Sequence, residues 1–579
     1  MSPPCCVTMQ LFYMAAIINN ISRPLCRAAF FPLSFLTCRA LSRQSSIPSS
    51  CSIPLSLFCA RKYTSESTLY RYKGKLHEEM AAKDLPLFTE LTAPNGIKWT
   101  QPLGLFINNE FVKSKAGGTL SSVSPIDDKE ITSVYAAESA DVDEAVKAAR
   151  AAFQSSEWAD ITTAERGALL YKLADLLEKN LEVLATLDTW DMGKPLSATK
   201  NEDLSESIST LRYYAGWADK ISGKTIDVGP SKLVYVLHQP IGVCGQIVPW
   251  NYPLMMAAWK LGPALATGNT VVLKSAEQSP LSVLFLGTLI KEAGFPPGVV
   301  NILSGYGKTA GAAIAAHEDI DKIAFTGSTL TGRAIMKAAS SNLKNITIET
   351  GGKSPLLIFE DADIEQAVKW AHIGIMSNAG QVCCATSRIL VQESVYEEFV
   401  QKFVEYTKTT SVIGDPFSEN VSHGPQVSRQ QYERIMAYVE KGKAEGANLV
   451  LGGTTPGGNF IQPTVFKDVK DEFTICKEEI FGPFVCIDKF TTQAEAIKRA
   501  NNSSYGLGAA VFTKDNTRAH VVANKIEAGM VWINSSNDSH FAVPFGGVKQ
   551  SGIGRECGEY ALANYTNAKA VHVNLGTVL

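Results

Sequence analysis

Apolar and polar positions follow two different rhythms along this chain. Residues 140–153 place acids in their first turns and apolar side chains at helical spacing, which predicts an amphipathic helix. Residues 163–184 keep the helical period and predict two helices that meet near Asn180. Residues 105–111 predict strand, turn and strand. Residues 224–239 alternate polar and apolar side chains around a Gly-Pro pair, the pattern of a hairpin. The rhythm then changes. Short apolar, β-branched runs at 243–248, 269–273, 299–303 and 322–325 predict strands. Helical stretches at 254–266, 280–293, 307–317 and 332–339 separate them. Such alternation predicts a parallel sheet covered on both faces, which binds ligands at the carboxyl ends of its strands.

A second α/β unit follows. Strands are predicted at 354–359, 388–391, 509–512 and 529–534, and helices at 364–377, 395–409 and 429–445. The tail at 568–575 reads as a strand that needs a sheet edge, another subunit's being one option.

At 579 residues, the chain calls for more than one domain. A formal charge of −3 and the lack of a basic cluster interleaved with aromatics argue against a general nucleic-acid binder. The eight histidines are scattered and none belongs to a zinc-binding pattern, so no metal is expected. Six of the twelve cysteines precede residue 60. The other six are too sparse for a disulfide framework, which points to a reducing compartment.

Residues 1–65 hold six basic residues and no acid before Glu66. That composition resembles a mitochondrial transit peptide. Met80 also opens a plausible cytosolic protein, so the compartment is the mitochondrial matrix or the cytoplasm. Disorder is expected over residues 1–95.

Two segments carry candidate covalent chemistry. Ile-Glu-Thr-Gly-Gly-Lys at 348–353 offers Glu349, and Ala-Gly-Gln-Val-Cys-Cys at 379–384 offers Cys383. A thiolate that captures a carbonyl, and a carboxylate that activates the releasing water, are what hydrolytic thiol chemistry requires. Pro249-Trp-Asn-Tyr-Pro253 holds Asn251 between rigid residues at a strand end, where an amide donor suits an oxyanion. Phe-Thr-Gly-Ser-Thr at 325–329 runs from strand to helix start, and its amides suit phosphate. Lys274 and Glu277 follow another strand of that sheet and suit ribose hydroxyls; a carboxylate there favours NAD over NADP. Gly305-Tyr-Gly-Lys-Thr309 is not a P-loop, because Ile302 stands where the first glycine is needed.

In this order, and with Glu478-Glu-Ile-Phe-Gly-Pro483 and Pro544-Phe-Gly-Gly-Val-Lys-Gln-Ser-Gly552, these segments resemble the aldehyde dehydrogenase superfamily over about residues 100–579. The likeness is greatest to its fungal and animal NAD-dependent branch. The resemblance implies an α/β fold: a Rossmann-type cofactor domain (100–222 and 241–351), an α/β catalytic domain (352–555), and a small bridging and oligomerisation sheet (223–240 and 560–579). It implies Cys383 as nucleophile, Glu349 as base and Asn251 as oxyanion donor. It assigns cofactor contacts to Ile247, Pro249, Trp250, Lys274, Glu277, Gly327, Ser328, Glu479 and Phe481. It places Met256, Trp259, Ser377 and Phe545 in a substrate tunnel.

The chain departs from that pattern at Ser377, where a Phe is usual, and at Ser539 or His540, where an aromatic is frequent. Both changes open the tunnel toward bulkier or more polar aldehydes. Thr350 replaces the commoner Leu. The implied activity is NAD+-dependent oxidation of an aldehyde to an acid through a cysteine thiohemiacetal and thioester, in a homodimer or homotetramer. The competing readings are a non-catalytic binding or structural protein and a dedicated biosynthetic enzyme for a bulky aldehyde. NADH formation from benzaldehyde or propanal separates enzyme from binder.

Overall fold

The computed structural model describes residues 84–579. Its centre is an eight-stranded sheet. Five parallel strands form the middle, in the spatial order Asn345–Thr350, Lys322–Gly327, Val243–Ile247, Thr270–Lys274 and Val300–Leu303. The chain enters at Val243–Ile247, adds two strands on one side, then crosses to add two on the other. This is the doubly wound order, and the strand order reverses beside Val243–Ile247 and Lys322–Gly327. Val243–Ile247 and Thr270–Lys274 are buried along their whole length, as expected for strands covered on both faces. The hairpin Leu105–Ile107 and Glu110–Val112 extends one edge antiparallel, and Gly552–Ile553 closes the other beside Asn345–Thr350.

A second, seven-stranded sheet is parallel except for Asn448–Leu451 at one edge. Its middle strands are Phe484–Phe490, Arg388–Gln392, Pro355–Ile358 and Gly508–Phe512. The third sheet joins Lys224–Asp227, Lys232–Pro240 and Thr566–Asn574, all antiparallel. The tail strand thus finds its partner in its own chain, along nine residues of register from Thr566↔Pro240 to Asn574↔Lys232.

Most expected elements appear within a few residues of their predicted ends. The two helices Thr163–Lys179 and Leu181–Met192 meet at Asn180. One expectation is corrected. Disorder to residue 95 does not hold, because Phe88–Thr92 pairs antiparallel with Lys98–Pro102. The alternating burial of that strand supplies the reason: Thr89 and Leu91 face inward and half-buried, while Phe88, Glu90 and Thr92 face out. The rest of the expectation, and the transit-peptide reading, lie outside the described residues. No described helix is long and apolar enough to cross a membrane.

Candidate active site

A cavity of about 520 Å³ opens where the strand order of the central sheet reverses. Pro249, Trp250 and Asn251 reach it from the end of Val243–Ile247. Gly327 and Ser328 reach it from the end of Lys322–Gly327, and Glu349 from the next strand. Cys383, Glu479, Phe481 and Phe545 enter from the segments between and after the strands of the second sheet. The parallel sheet therefore gathers, at one crevice, residues as far apart in sequence as Pro249 and Phe545.

The cysteine loop is held in a tight conformation. After the helix Ile364–Met376 the chain passes through three consecutive left-handed residues, Asn378 (φ 49°), Ala379 (φ 52°) and Gly380 (φ 73°). Such a run in non-glycine residues is costly and persists where surrounding contacts determine it. Those contacts are visible. Asn378 Nδ2 donates to the Asn251 carbonyl at 3.0 Å, Gln381 Nε2 donates to the Asn378 carbonyl at 3.1 Å, and Val427 N donates to Gln381 Oε1 at 3.0 Å. Asn251 Nδ2 donates one hydrogen to the Gln381 carbonyl at 2.9 Å. Its second N–H is left for an acceptor in the cavity.

Cys383 is half-buried and Cys384 buried. A hydrogen bond with Cys384, followed by burial, holds the Cys383 thiol well above its ordinary pKa. The resting group is the thiol, so attack requires a proton acceptor. Glu349 lines the same cavity, is 3% exposed, and leaves Oε1 without a partner among the described residues. Burial, then repulsion from Cys383 and Glu556, pushes its pKa well up. Beside it, buried Lys260 pairs with Glu556 and donates to Thr326 Oγ1 at 2.6 Å. A free buried carboxyl facing a thiol can take its proton, or later a proton from water.

At the other end, Glu479 Oε1 is also buried without a partner, and burial raises Glu479 to about 7. Phe481 adopts a left-handed φ of 62° and meets Trp250 edge-on at 5.3 Å. Ser328 caps the helix Thr329–Ala339 by accepting from Thr331 N at 3.3 Å, which leaves the other first-turn amides of this 11-residue helix open. Ile247, Lys274 and Glu277 do not line this cavity. Glu277 instead accepts from Gly307 N at 2.6 Å, and buried Lys274 donates to the Ser275 carbonyl at 2.8 Å. They sit at the ends of adjacent strands of the same sheet, with Ile247 paired to Lys274.

Met256, Trp259, Ser377 and Phe545 all line the cavity, and Trp259 meets Phe545 edge-on at 5.0 Å. Ser377 Oγ donates to the Ile373 carbonyl at 2.9 Å and so closes the helix end. Ser539 lines the cavity, whereas His540 stacks on Phe541 at 4.1 Å. Thr350 Oγ1 donates to the Gln550 carbonyl at 2.6 Å, a bond between strand and loop. Sequence reasoning missed one wall: Asn201, Glu202, Asp203, Ser205 and Glu206. The run Asn-Glu-Asp within an otherwise helical stretch was its only signal.

A doubly wound sheet with a thiol, a free carboxyl and a fixed amide converging at its crevice defines an α/β thiol enzyme. Comparison with known proteins is specific. The model of the Aldehyde dehydrogenase family matches residues 111–571, and the chain belongs to that family. An aldehyde dehydrogenase of Emericella nidulans is 56% identical over 496 residues, 85% of this chain and 99% of that protein. A mitochondrial aldehyde dehydrogenase of Rattus norvegicus is 54% identical over 475 residues, 81% of this chain and 91% of that protein. The NAD+ complex of a Bacillus cereus aldehyde dehydrogenase superposes with a TM-score of 0.81 at 51% identity, covering 82% of this chain and 97% of that one. The protein is an oxidoreductase of aldehydes with the family's mixed α/β fold.

Proposed function

We propose that the protein oxidises an aldehyde to the carboxylic acid with NAD+, through covalent capture on Cys383. The observation that carries this reading is the convergence of Cys383, Glu349 and Asn251 on one cavity. The dinucleotide suits the residues present. Open amides after Ser328 face phosphate, the partnerless Glu479 Oε1 awaits a hydroxyl, and the Trp250–Phe481 pair offers an aromatic edge. Lys274 and Glu277 stand at the next strand end, outside that cavity, where the Glu277 carboxylate would accept ribose hydroxyls and repel a 2′-phosphate. When bound, NAD+ supplies the hydride acceptor.

Cys383 loses its proton to Glu349 and attacks the formyl carbon, giving a thiohemiacetal. The second N–H of Asn251 faces the developing oxyanion. After oxidation the acyl group rests on Cys383 as a thioester. Glu349 gives up the first proton to solvent, then takes one from water, which attacks the thioester; the departing Cys383 sulfur recovers that proton, so acid and free thiol are released.

The test pairs two neighbours. Cys383→Ala abolishes NADH formation from propanal but still binds NAD+; Cys384→Ala keeps most activity. Loss confined to the Cys384 variant overturns the assignment.

We read the chain as a cofactor part (100–222 and 241–351), a catalytic part (352–555), whose short strand Gly552–Ile553 joins the edge of the central sheet, and the bridging sheet (223–240 and 560–579). That bridging sheet exposes Ile226, Val228, Leu233, Leu237 and Val573. A stripe of this kind suits burial against other copies, and the chain is read as a homodimer or homotetramer. Light scattering at micromolar concentration tests this, and a monomer overturns it. The compartment is the matrix or the cytoplasm. The basic N-terminus and the mitochondrial rat relative support the matrix, and import of the full chain into isolated mitochondria decides it.

A further inference from the structure

Two cysteines outside the reacting centre stand beside two unmatched cations. Cys476 lies in the four-residue helix Thr474–Lys477 and Cys486 in the strand Phe484–Phe490. Both are free and buried, in one apolar cluster. Cys486 Sγ donates to the Ile475 carbonyl at 3.4 Å, one residue from Cys476, so the two sulfurs are neighbours. Arg388 pairs with Cys486 across adjacent parallel strands, and paired side chains share a face of the sheet. Lys353 and Arg388 are 1% and 4% exposed, and Lys353 Nζ and Arg388 Nε have no hydrogen-bond partner among the described residues. Buried positive charge of this kind is costly unless negative charge answers it. Burial lowers the pKa of Lys353, and the Cys486 sulfur opposes that most. Burial also raises the Cys486 thiol, but the Cys476 hydrogen bond and the charges of Lys353 and Arg388 outweigh it and hold the thiol below its ordinary pKa. Cys486 therefore carries more thiolate than a buried cysteine in apolar surroundings, and thiolate is the form that reacts.

The pair brackets a working segment. Between the two cysteines run Glu479 and Phe481, which line the cavity, and Gly482, whose carbonyl abuts Gly380 in the loop of Cys383. Cys486 is fixed, because its strand is paired on both sides, with Arg388 and with Phe466. Cys476 is the freer end: its helix is a single turn, and Lys477 and Glu478 after it are exposed. Drawing the two sulfurs into a bond therefore pulls on the segment that holds Glu479 and Phe481.

We propose that Cys476 and Cys486 form a disulfide on exposure to hydrogen peroxide, and that this bond weakens NAD+ binding by displacing Glu479 and Phe481. The Cys486 thiolate attacks one peroxide oxygen, the O–O bond breaks, and the other oxygen leaves as water once protonated, which gives a sulfenic acid. The Cys476 sulfur then attacks the Cys486 sulfur, the S–O bond breaks, and the oxygen leaves as water with the Cys476 proton. Two thiols and one peroxide become one disulfide and two waters. The effect on the cofactor rests on the function proposed above; the bond itself does not.

The test uses the full chain carrying Cys383→Ala, which removes the nucleophile as a competing target. Peptides are mapped without reduction after peroxide treatment, and the NAD+ Kd is read by quenching of tryptophan fluorescence. The expected result is a peptide pair joined through Cys476 and Cys486, and a Kd raised about tenfold, the scale of losing one hydrogen bond to a charged group. Dithiothreitol should reverse both. Cys476→Ala in the same background should give no linkage and a Kd that peroxide leaves unchanged. The mapping and the reversal need no substitution within the pair, so they decide the matter even where that variant fails to fold. No linkage between Cys476 and Cys486, or a linkage that leaves the Kd where it was, overturns the proposal. Untreated protein that does not bind NAD+ overturns the cofactor reading instead, and the linkage alone then decides on the disulfide.

Discussion

Asn251 and Gln381 are joined by a hydrogen bond of 2.9 Å, from the Asn251 side-chain amide to the Gln381 carbonyl. The bond spans 130 residues and ties the strand end of the central sheet to the loop that carries Cys383. It fixes the amide while spending only one of its two hydrogens. Asn251→Ala removes both the donor and the tie. Turnover should fall about 10²–10³-fold, the usual cost of losing one oxyanion donor. NAD+ affinity, read by quenching of tryptophan fluorescence, should change little. A variant that keeps wild-type kcat would remove Asn251 from the chemistry.

Glu349 must be ionised to act, and burial raises its pKa well above the ordinary carboxylate range. The base form therefore appears only above that raised value, and kcat should decline with falling pH before an ordinary glutamate would titrate. Glu349→Gln should give a burst of NADH, then a steady rate lower by about 10²–10⁴-fold. The same shift has a sign for stability. A carboxyl with a raised folded pKa favours the fold fully below its unfolded pKa and loses that contribution as pH rises through the folded one. At pH 8 the glutamine variant should thus melt higher than wild type, because it buries no charge. Equal melting temperatures at pH 8, with unchanged turnover, would place the ionised Glu349 in water.

Much of this arrangement was legible in sequence, and for a physical reason. Strands covered on both faces must be apolar throughout, so Val243–Ile247, Thr270–Lys274 and Val300–Leu303 announce themselves. The segments after them carry side chains whose chemistry constrains their type, as with Asn251, Glu349 and Cys383. The short strand Phe88–Thr92 was not legible, because only Thr89 and Leu91 turn inward. The partner of the tail strand was ambiguous, since a strand pattern names a need for an edge and not which edge. The wall at Asn201–Glu206 was missed for a related reason. Polar residues in a helical stretch read as a solvated face, and only the packing of Thr199–Leu204 beside Pro253–Ala266 turns that face toward a cavity.

Gly380 is the last of the three left-handed residues before the nucleophile. A Cβ there would run into the carbonyl of Gly482, in the loop that also carries Phe481. Gly380→Ala should cost about 1–2 kcal/mol from backbone conformation alone, and more from the clash with an atom that cannot rotate away. The expected result is a lower melting temperature together with slower alkylation of Cys383 by iodoacetamide, since the loop must shift. A variant with wild-type melting and alkylation would mean that the left-handed turn is not required.

Ser377 tests the shape of the tunnel. It lines the main cavity and also a second one of about 350 Å³ that shares Asn201, Glu202 and Ile373 with it. The small side chain is thus part of the wall the two spaces share. Ser377→Phe would place a ring at that junction and lose the Ser377 Oγ bond to the Ile373 carbonyl, a bond at an exposed helix end that contributes little. Small aldehydes gain apolar contact near Cys383, whereas long ones lose the space their tails occupy. Refilling about one ring should shift relative specificity by roughly 1–3 kcal/mol, the scale of size discrimination in apolar pockets. The measurement is the kcat/KM ratio of propanal to a naphthyl aldehyde, before and after substitution. The ratio should move toward propanal by about tenfold or more. A ratio that stays put would show that bulky aldehydes approach Cys383 by another route, and the reading of Ser377 as the residue that widens the tunnel would fall with it.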